Sequence, residues 1–305
     1  MTLRLTLTRL LVRYSRPSYF RPNTAPRFFC SIDNTPDHSI EPGHPRHHRD
    51  ATTGPHGIYA DEYNHALADP QAFWHDHAED LKWFKPPKKI LEVDPVTNLS
   101  RWFVGGEINT CYNALDVHVQ DGRANQAALI YDSAVTNTKA SYTYQEMLDQ
   151  VSRFSGVLVN ELGIQKGDRV IIYMPMIPEA VIAMLACTRI GAIHSVVFGG
   201  FASKELATRI DDCEPKLVIS ASCGVEPNDR IVHYKPLLDH GLEISKQKVP
   251  KCVIVQRDVH RCDMVLGRDF DYLELMSNDA IASPHDAVPV LSTDPHYILY
   301  TSGTT

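Results

Sequence analysis

Between residues 140 and 300, apolar strand patterns alternate with helix patterns. The run Arg169–Met174 is almost continuously apolar, as in strands that a parallel sheet buries on both faces. Further runs of this kind follow at Ala192–Val197, Lys216–Ser220, Lys251–Val255 and Tyr297–Tyr300. Because these strand, helix and strand repeats have short connections, they predict an α/β fold with a mainly parallel sheet.

The helix patterns in this region have recognisable ends. Thr143 begins a capping box, and the apolar face of the helix that follows ends at Gly163. A second helix is expected from Pro178 to Ile190, and Ser203 is expected to cap a third.

A helical element is also predicted before the alternating region. Asp69 and Pro70 have the pattern of a helix start, with Asp as the N-cap and Pro as the first helical residue. The same helix would end before Pro86 and Pro87, which disfavour a helical backbone. The residues expected on one helix face are Phe73, Trp74, His77 and Leu81. We therefore expect a small helical N-terminal cap.

Charge is distributed unevenly along the chain. The first 32 residues contain six arginines and no acidic residue, although the whole chain has a net charge of −7. Removing those six leaves 24 basic residues against 37 acidic ones, a net charge of −13 for the rest. An acidic body without a basic stripe argues against nucleic-acid binding. The arginine-rich start predicts a mitochondrial transit peptide over residues 1–32 and a location in the mitochondrial matrix; a basic tail without a targeting role is the alternative.

Residues 33–57 are rich in Pro, His, Asp and Gly and lack apolar periodicity, which predicts a disordered linker. A solvated linker explains its histidines better than a metal site, because no rigid frame fixes their geometry.

No membrane span is expected, since the longest apolar helical run, Val181–Cys187, is far shorter than the roughly 20 residues that a bilayer requires. The seven cysteines form no C-x-x-C pair, so they are expected to be reduced and structural, with no metal site.

The segment Thr301–Thr305 surrounds a glycine with hydroxyl side chains directly after an apolar strand pattern. Its hydroxyl groups, together with backbone N–H groups that glycine exposes, form a candidate nest for phosphate oxygens. The spacing of a Walker A loop is absent, and an ordinary turn is the alternative.

No G-x-G occurs, which removes the dehydrogenase interpretation of the α/β pattern. For His194, inside an apolar strand pattern, a buried and hydrogen-bonded structural role is favoured over a general base.

Several motifs, in the same order along the chain, carry a resemblance to a known family. The residues Tyr300–Thr305 resemble the opening of the phosphate loop of adenylate-forming, AMP-binding enzymes. The stretches that resemble short-chain acyl-CoA synthetases of that superfamily are Trp102–Asn113, Tyr173–Met176 and Gly191–Phe201. The resemblance covers residues 58–305. It implies an acetyl-CoA-synthetase-type N-terminal domain at 58–116 and an AMP-dependent synthetase/ligase domain, incomplete in this chain, at 117–305.

The resemblance implies a propionyl- or acetyl-CoA synthetase that uses ATP, Mg²⁺ and CoA. Its carboxylate substrate would attack the α-phosphate of ATP, and the CoA thiol would then displace AMP. The residues implied to bind the ATP phosphates are Thr301, Ser302, Gly303, Thr304 and Thr305. No catalytic residue is assigned, because the acyl pocket and the catalytic lysine would lie downstream, so the chain is expected to be inactive alone. The alternative is a non-catalytic product that binds CoA or a protein partner.

The resemblance also implies a CoA site built from two segments. Phe198, Gly199 and Gly200 follow a strand, at the end of the sheet where open α/β folds bind ligands. The second segment contains Glu226, Pro227, Asn228, Asp229 and Arg230. In the acetyl branch this stretch carries two arginines that contact CoA phosphate, whereas here only Arg230 is kept, with Lys235 beyond it. A tight turn at the glycines and a solvated Arg230 are the alternatives. The stretch Ser222–Pro227 resembles the mitochondrial propionyl branch more closely, and the choice between acetate and propionate stays open.

Overall fold

The computed structural model describes residues 57–301. The predicted transit peptide, the predicted linker up to residue 56, and Ser302–Thr305 lie outside the described residues. Gly57, the last residue of the predicted linker, is instead the first residue of a helix.

The described chain begins with helices, as predicted, and continues with short strands that were not predicted. Their bounds are α1 (Gly57–Ala68), α2 (Pro70–Ala78), β1 (Lys89–Val93), β2 (Ser100–Val104) and β3 (Glu107–Ile108). Asp69 caps α2 as expected, because its carboxylate accepts a hydrogen bond of 3.0 Å from the backbone N–H of Ala72. The helix ends at Ala78, earlier than predicted, so Leu81 lies beyond it. The predicted apolar face is wrong, because Trp74, His77 and Leu81 are exposed and Phe73 is half-buried.

A connecting region leads from these elements to the sheet. It contains two π-helical segments, an antiparallel hairpin and a long helix. Their bounds are Tyr112–Asp116 and Val119–Arg123 for the π-helical segments, β4 (Ala127–Ser133), β5 (Thr138–Thr143) and α3 (Tyr144–Asn160). The predicted capping box is present, since Thr143 and Glu146 each accept a hydrogen bond from the other's backbone N–H. Gly163 has a φ of 70° just beyond α3, as expected for a residue after a helix end.

The remaining elements build the parallel sheet and its helical layers. They are β6 (Arg169–Met174), α4 (Pro178–Arg189), β7 (Ile193–Phe198), α5 (Ser203–Cys213), β8 (Leu217–Ala221), β9 (Cys223–Glu226), β10 (Arg230–His233), α6 (Tyr234–Ile244), β11 (Lys251–Val255), β12 (Asp269–Asp271), α7 (Tyr272–Ser277) and β13 (Val290–Leu291). Five strands form one parallel sheet in the order β12-β11-β8-β6-β7. The predicted α/β fold is therefore confirmed.

Both faces of the sheet are buried at its central strands, which explains their continuous apolar patterns. On one face, Ile172 and its neighbours pack in a cluster with residues of α3, α4 and α7. On the other face, Ile171 and Tyr173 pack with residues of α5 and α6. Each fully buried aliphatic side chain contributes about 1.5–3 kcal/mol through removal of its surface from water. The protein thus has a central sheet between two helical layers.

Two local predictions differ from the structure. Ser203 is the first helical residue of α5, and the N-cap is Ala202, which has no side-chain acceptor for the helix N–H groups. Tyr297–Tyr300 is not a regular strand, because its only pairing with the sheet is a parallel bridge from Tyr297 to His194. One backbone bond of 2.9 Å, from Ile298 N–H to His194 O, supports that bridge.

The N-terminal elements are joined to the region after α7. Strand β3 pairs antiparallel with β13, with Ile108 opposite Val290. Across residues 57–301, no helix is both long enough and apolar enough to cross a lipid bilayer.

Candidate functional site

The direction of the chain connections reverses between the central strands β6 and β8. From β6 the chain continues to β7 on one side, whereas from β8 it continues to β11 on the other. Such a reversal leaves a ligand-sized opening above the strand ends in open α/β sheets. The segments at the carboxyl ends of β6, β7 and β8 are Pro175–Ile177, Phe198–Gly200 and Ser222–Gly224. One of the two segments assigned to CoA, Phe198–Gly200, therefore lies at this edge.

Tyr234 packs against several segments at this edge of the sheet. It was not predicted from the sequence as a site residue. It is the first residue of α6, and its ring stacks on that of Tyr173 with 5.3 Å between centroids. A Cβ atom added at Gly224 would lie 2.8 Å from the Tyr234 hydroxyl oxygen, and one added at Gly199 would overlap the same ring and hydroxyl. Glycine is thus needed at both positions because the tyrosine side chain occupies the space. Tyr234 brings the Phe198–Gly200 turn next to the hairpin that carries Arg230.

The end of β7 presents an exposed aromatic ring. Phe198 is exposed, and its ring packs edge-on against Phe201 at 5.8 Å between centroids. A Cβ at Gly200 would lie 2.6 Å from the Phe198 ring. The second glycine therefore allows the backbone to turn directly beneath this ring. The arrangement leaves an aromatic face that a planar or apolar part of a ligand can contact.

Glu226–Arg230 is the turn of the β9–β10 hairpin. Asn228 and Asp229 have φ values of 63° and 55°, a left-handed conformation that Asn and Asp adopt more readily than most residues. The exposed guanidinium of Arg230 lies 3.4 Å from a carboxylate oxygen of Glu226. A solvent-exposed pair of this kind contributes little stability, so Arg230 can exchange its partner for a phosphate group at low cost.

Lys235 does not belong to the exposed charges of the hairpin. Its ammonium group is buried and lies 2.6 Å from Asp239 Oδ2 and 3.0 Å from Asp269 Oδ2. Burial would raise the pKa of Asp269, but hydrogen bonds from Arg268, Lys235 and a backbone N–H hold it below the usual range. Lys235 therefore fastens α6 to β12, and its position beyond Arg230 in the sequence does not make it a ligand contact.

A second basic group lies at the base of the hairpin and was missed by sequence reasoning. Arg257 follows the end of β11 and donates a hydrogen bond of 3.3 Å to the backbone carbonyl of Cys223. Arg257 forms an antiparallel bridge with His260. The ring of His260 packs against that of His233, with centroids 4.2 Å apart. Ser222 orders this region, because its hydroxyl donates to His260 O at 2.6 Å and accepts from Arg257 N–H at 2.9 Å. A basic residue two positions after the predicted strand Lys251–Val255 was the available signal.

The approach to the hydroxyl-rich loop runs along β7. The parallel bridge between Tyr297 and His194 aligns the start of this segment with β7. Tyr300 anchors this segment to α5, since its hydroxyl donates to Asp212 Oδ2 at 2.6 Å and its ring covers the guanidinium of Arg209. The pKa of Tyr300 is raised by burial and by Asp212. Of the five residues implied to bind ATP phosphates, Thr301 lies within the described residues, and Ser302, Gly303, Thr304 and Thr305 lie outside them.

His194 is buried, as predicted, but its Nδ1 atom has no hydrogen-bond partner in the described part of the chain. Burial, together with the neighbouring His296, lowers the pKa of His194 to about 4. The ring is thus neutral at physiological pH. It packs edge-on against His296 at 5.5 Å between centroids, which is a structural arrangement.

The described cysteines are free thiols, and most of them are buried. Burial raises the pKa of Cys111, Cys187, Cys213 and Cys252 to about 12, so these thiols are unreactive.

Within residues 57–301, no three His, Cys, Asp or Glu side chains are grouped so that they could hold a metal ion. A cavity of about 730 Å³ lies along the β12 flank, between Gln256, Cys262 and Glu274, and none of the predicted site residues lines it.

Comparison with known proteins finds two family models and several relatives that match this chain. Residues 117–305 match the family model of AMP-binding enzymes, and residues 59–114 match that of the acetyl-coenzyme A synthetase N-terminus. The mouse (Mus musculus) protein acyl-CoA synthetase short-chain family member 3, mitochondrial, is 51% identical over 258 residues, which are 84% of this chain and 37% of the mouse protein. Acetyl-coenzyme A synthetase of Leptospira biflexa is 41% identical over 81% of this chain and 38% of its own length.

A solved structure shares the fold. Acetoacetyl-CoA synthetase from Streptomyces lividans superimposes with a TM-score of 0.70 at 24% identity, over 85% of this chain and 38% of that one. The chain thus spans less than two fifths of the length of these relatives.

Proposed function

Because this chain belongs to the family of AMP-binding enzymes, and within it resembles short-chain acyl-CoA synthetases, we propose that it forms part of an ATP-dependent short-chain carboxylate–CoA ligase. In the proposed reaction, an oxygen of acetate or propionate attacks the α-phosphate of ATP, which gives an acyl-adenylate and releases pyrophosphate. The CoA sulfur then attacks the acyl carbon, AMP leaves, and the thiol proton passes to solvent. The match of two family models, in order, across residues 59–305 carries this proposal.

The two segments at the carboxyl edge are proposed to bind CoA. Tyr234 supports this because it places Gly199 and the β9–β10 hairpin side by side. Arg230 would exchange Glu226 for a CoA phosphate, and Phe198 would contact an apolar or planar part of the molecule. The remaining members of this proposed site are Gly200, Pro227, Asn228 and Asp229.

ATP phosphates are proposed to bind the segment Thr301–Thr305. The bridge between Tyr297 and His194 supports this, because it aligns the residues before Thr301 in parallel with β7, and open α/β sheets receive ligands at the carboxyl ends of their strands. No group of three or more His, Cys, Asp or Glu side chains that could hold a metal ion occurs within the described residues. In nucleotide sites Mg²⁺ is held largely by the substrate phosphates, so we expect it to arrive as part of MgATP.

A chimeric enzyme tests the proposed activity. Residues 59–305 of this chain would replace the matching part of the mouse relative, and acyl-CoA formation from acetate, propionate and butyrate would be measured by mass spectrometry. We expect thioester formation with acetate or propionate, dependent on ATP. A folded chimera that releases no pyrophosphate with any of these acids would contradict the proposal. The 305-residue chain alone is expected to form no thioester, because it spans 37% of the mouse protein.

A matched pair of arginines tests the CoA site in that chimera. Arg230→Ala is expected to raise the KM for CoA about tenfold, the effect of losing one charge-assisted contact to phosphate. Arg261→Ala is the control, because Arg261 is also exposed and pairs with a carboxylate, Asp258, at 3.5 Å. Equal effects of the two substitutions would remove Arg230 from the site. CoA binding without thioester formation would instead favour a non-catalytic binding role.

We also propose a domain division at residues 58–116 and 117–305. A location in the mitochondrial matrix is a further proposal. The name of the mouse relative places that protein in mitochondria, and the arginine-rich residues 1–32 have the composition of a transit peptide. Import of a reporter fused to residues 1–32 into isolated mitochondria, followed by protease protection, tests the location. A reporter that stays outside, or that ends up in the intermembrane space, would contradict it.

A further inference from the structure

Arg257 is a half-buried cation that lacks a counter-charge among the described residues. Its guanidinium donates one hydrogen bond, of 3.3 Å, to the backbone carbonyl of Cys223. The next residue, Asp258, pairs instead with Arg261 at 3.5 Å. A guanidinium carries five N–H donors, and partial burial of a charge is costly unless an opposite charge is nearby. Arg257 therefore has both the free donors and the energetic reason to bind an anion.

Two histidine rings lie beside Arg257. His260 closes the turn that Arg257 begins, because its backbone N–H donates to Arg257 O at 3.1 Å. The two residues form an antiparallel bridge, and residues opposite each other in such a bridge have Cβ atoms about 4.5–5.5 Å apart. The ring of His260 in turn packs against that of His233. Neither ring has a hydrogen-bond partner within residues 57–301, so each can offer an N–H donor to a ligand.

The N-terminus of helix α6 lies in the same group of side chains. His233 is the N-cap of this 11-residue helix, and its side chain makes no capping hydrogen bond. The backbone N–H groups of a first helical turn carry a partial positive charge that stabilises an anion. Ser222 holds the parts together, since its carbonyl accepts the Tyr234 N–H at 3.1 Å and its hydroxyl contacts both ends of the Arg257–His260 turn. A cation, two imidazole rings and a helix N-terminus thus converge.

These groups adjoin the segments that are proposed to bind CoA. Cys223, whose carbonyl Arg257 contacts, is followed by Gly224. Gly224 faces the Tyr234 hydroxyl, and so does Gly199 of the turn after β7. A ligand that lies between the turn and the β9–β10 hairpin therefore adjoins Arg257.

We propose that Arg257, His233 and His260 form a subsite for a phosphate monoester, the 3′-phosphate of CoA. The three terminal oxygens of such a group can accept hydrogen bonds from the planar fork of a guanidinium and from imidazole N–H groups at once. Arg230, three residues before His233 on β10, is about 10 Å away along the strand and is left for the diphosphate of the same molecule. The subsite rests on the proposed CoA binding for the source of its phosphate, and a free phosphate ion is the other source of the same chemistry.

Isothermal titration calorimetry of the 305-residue chain with CoA and with 3′-dephospho-CoA tests the subsite. The two compounds differ only in the 3′-phosphate. We expect CoA to bind at least about tenfold more tightly, as for a charge-assisted contact. This preference should disappear in Arg257→Gln, whose amide can still donate to Cys223 O but carries no charge. Arg257→Lys should keep part of it, because the charge remains while the planar donor fork is lost.

Arg261→Gln is the matched control, because Arg261 belongs to the same part of the chain, is exposed and pairs with Asp258. It should leave the preference for CoA unchanged. Circular dichroism verifies that each variant is folded. His233→Gln gives a second test at an exposed position, so that a failure of Arg257→Gln to fold does not decide the matter. It is expected to lower the preference about threefold, the effect of losing one neutral hydrogen bond.

Titration with inorganic phosphate separates the two sources of the phosphate group. Phosphate binding that Arg257→Gln abolishes, without a preference for CoA over 3′-dephospho-CoA, would assign the subsite to the free ion. The proposal is overturned if the native chain shows neither the preference nor phosphate binding, or if the Arg257→Gln and His233→Gln variants that fold retain the native behaviour. A preference for CoA in this chain, together with a chimera that forms no thioester, would contradict the proposed ligase activity and leave the subsite intact.

Discussion

Arg189 and Asp116 form a two-point ion pair inside the protein, with Nη1–Oδ2 and Nη2–Oδ1 distances of 2.7 Å and 3.0 Å. Arg189 is the last residue of α4, and Asp116 ends the first π-helical segment. Asn109 strengthens the same junction, because its side-chain nitrogen donates to the carbonyls of Thr188, Arg189 and Val288 at 2.9–3.0 Å. The stretch Trp102–Asn113 that resembles the synthetase family thus has a physical role, which is to join the N-terminal elements to the sheet layer.

Removing one member of the buried pair should destabilise the fold strongly. Asp116→Ala leaves the Arg189 guanidinium buried without a counter-charge, and we expect the free energy of unfolding to fall by about 3–5 kcal/mol. Urea unfolding followed by circular dichroism measures this loss. Lys139→Ala, which breaks the exposed Lys139–Asp132 pair at 2.9 Å, is the control and should cause no measurable change. Similar losses in both variants would mean that burial of the Arg189–Asp116 pair has no energetic role.

Asn109 should be sensitive to the loss of its amide hydrogens alone. Asn109→Asp keeps the size of the side chain but directs a carboxylate at three carbonyl oxygens, so we expect a loss of roughly 3 kcal/mol or more. Asn109→Ala should cost less, because it leaves unpaired carbonyls without adding a buried charge. The urea concentration at the midpoint of unfolding should therefore be lower for Asn109→Asp than for Asn109→Ala. If Asn109→Asp were as stable as the native chain, the three hydrogen bonds would not hold the end of α4.

The buried His194 makes stability depend on pH below neutrality. Its pKa in the folded protein, about 4, is below the 6.5 of an ordinary histidine, because burial disfavours the charged ring. Between these values the unfolded chain binds a proton that the folded chain does not, so stability is full above pH 6.5 and falls as the pH is lowered. The loss between pH 7 and pH 5 amounts to about 2 kcal/mol. In His194→Phe this part of the pH dependence should vanish from urea unfolding curves, and an unchanged dependence would contradict the assignment.

The central strands were predictable because each of them is a single, nearly continuous apolar stretch of sequence. Arg169–Met174 and Lys251–Val255 were predicted at their observed bounds, since each is an apolar run between turn residues and both faces of the sheet are covered. The antiparallel strands β1 and β2 were missed because they are short and half exposed, so that their side chains show no clear periodicity. At Ser203, the shift of one residue relative to the predicted cap reflects an extended backbone at Ala202, which the residue types do not specify.

The candidate site was predictable only in its separate segments. The glycines after β7 and the Asn-Asp turn of the hairpin are local signals of unusual backbone conformation. Their proximity depends on Tyr234, whose ring bridges positions far apart in the chain, and no local pattern encodes such a contact. The same holds for Lys235, where burial against Asp269 replaces the exposed position that its sequence neighbourhood indicates.

The contact between Gly199 and Tyr234 therefore gives the sharpest test of the site geometry. Gly199→Ala forces a Cβ into the Tyr234 ring, and we expect a loss of about 1–3 kcal/mol in unfolding free energy from overpacking. Tyr234→Leu frees that space and loses the stacking on Tyr173. In the double variant the second substitution relieves the first, so the combined loss should be smaller than the sum by at least about 1 kcal/mol. Gly199→Ala combined with the remote Lys139→Ala should be additive. If both double variants were additive in urea unfolding, Tyr234 would not fill the space beside Gly199, and the two proposed CoA segments would not be held together by this side chain.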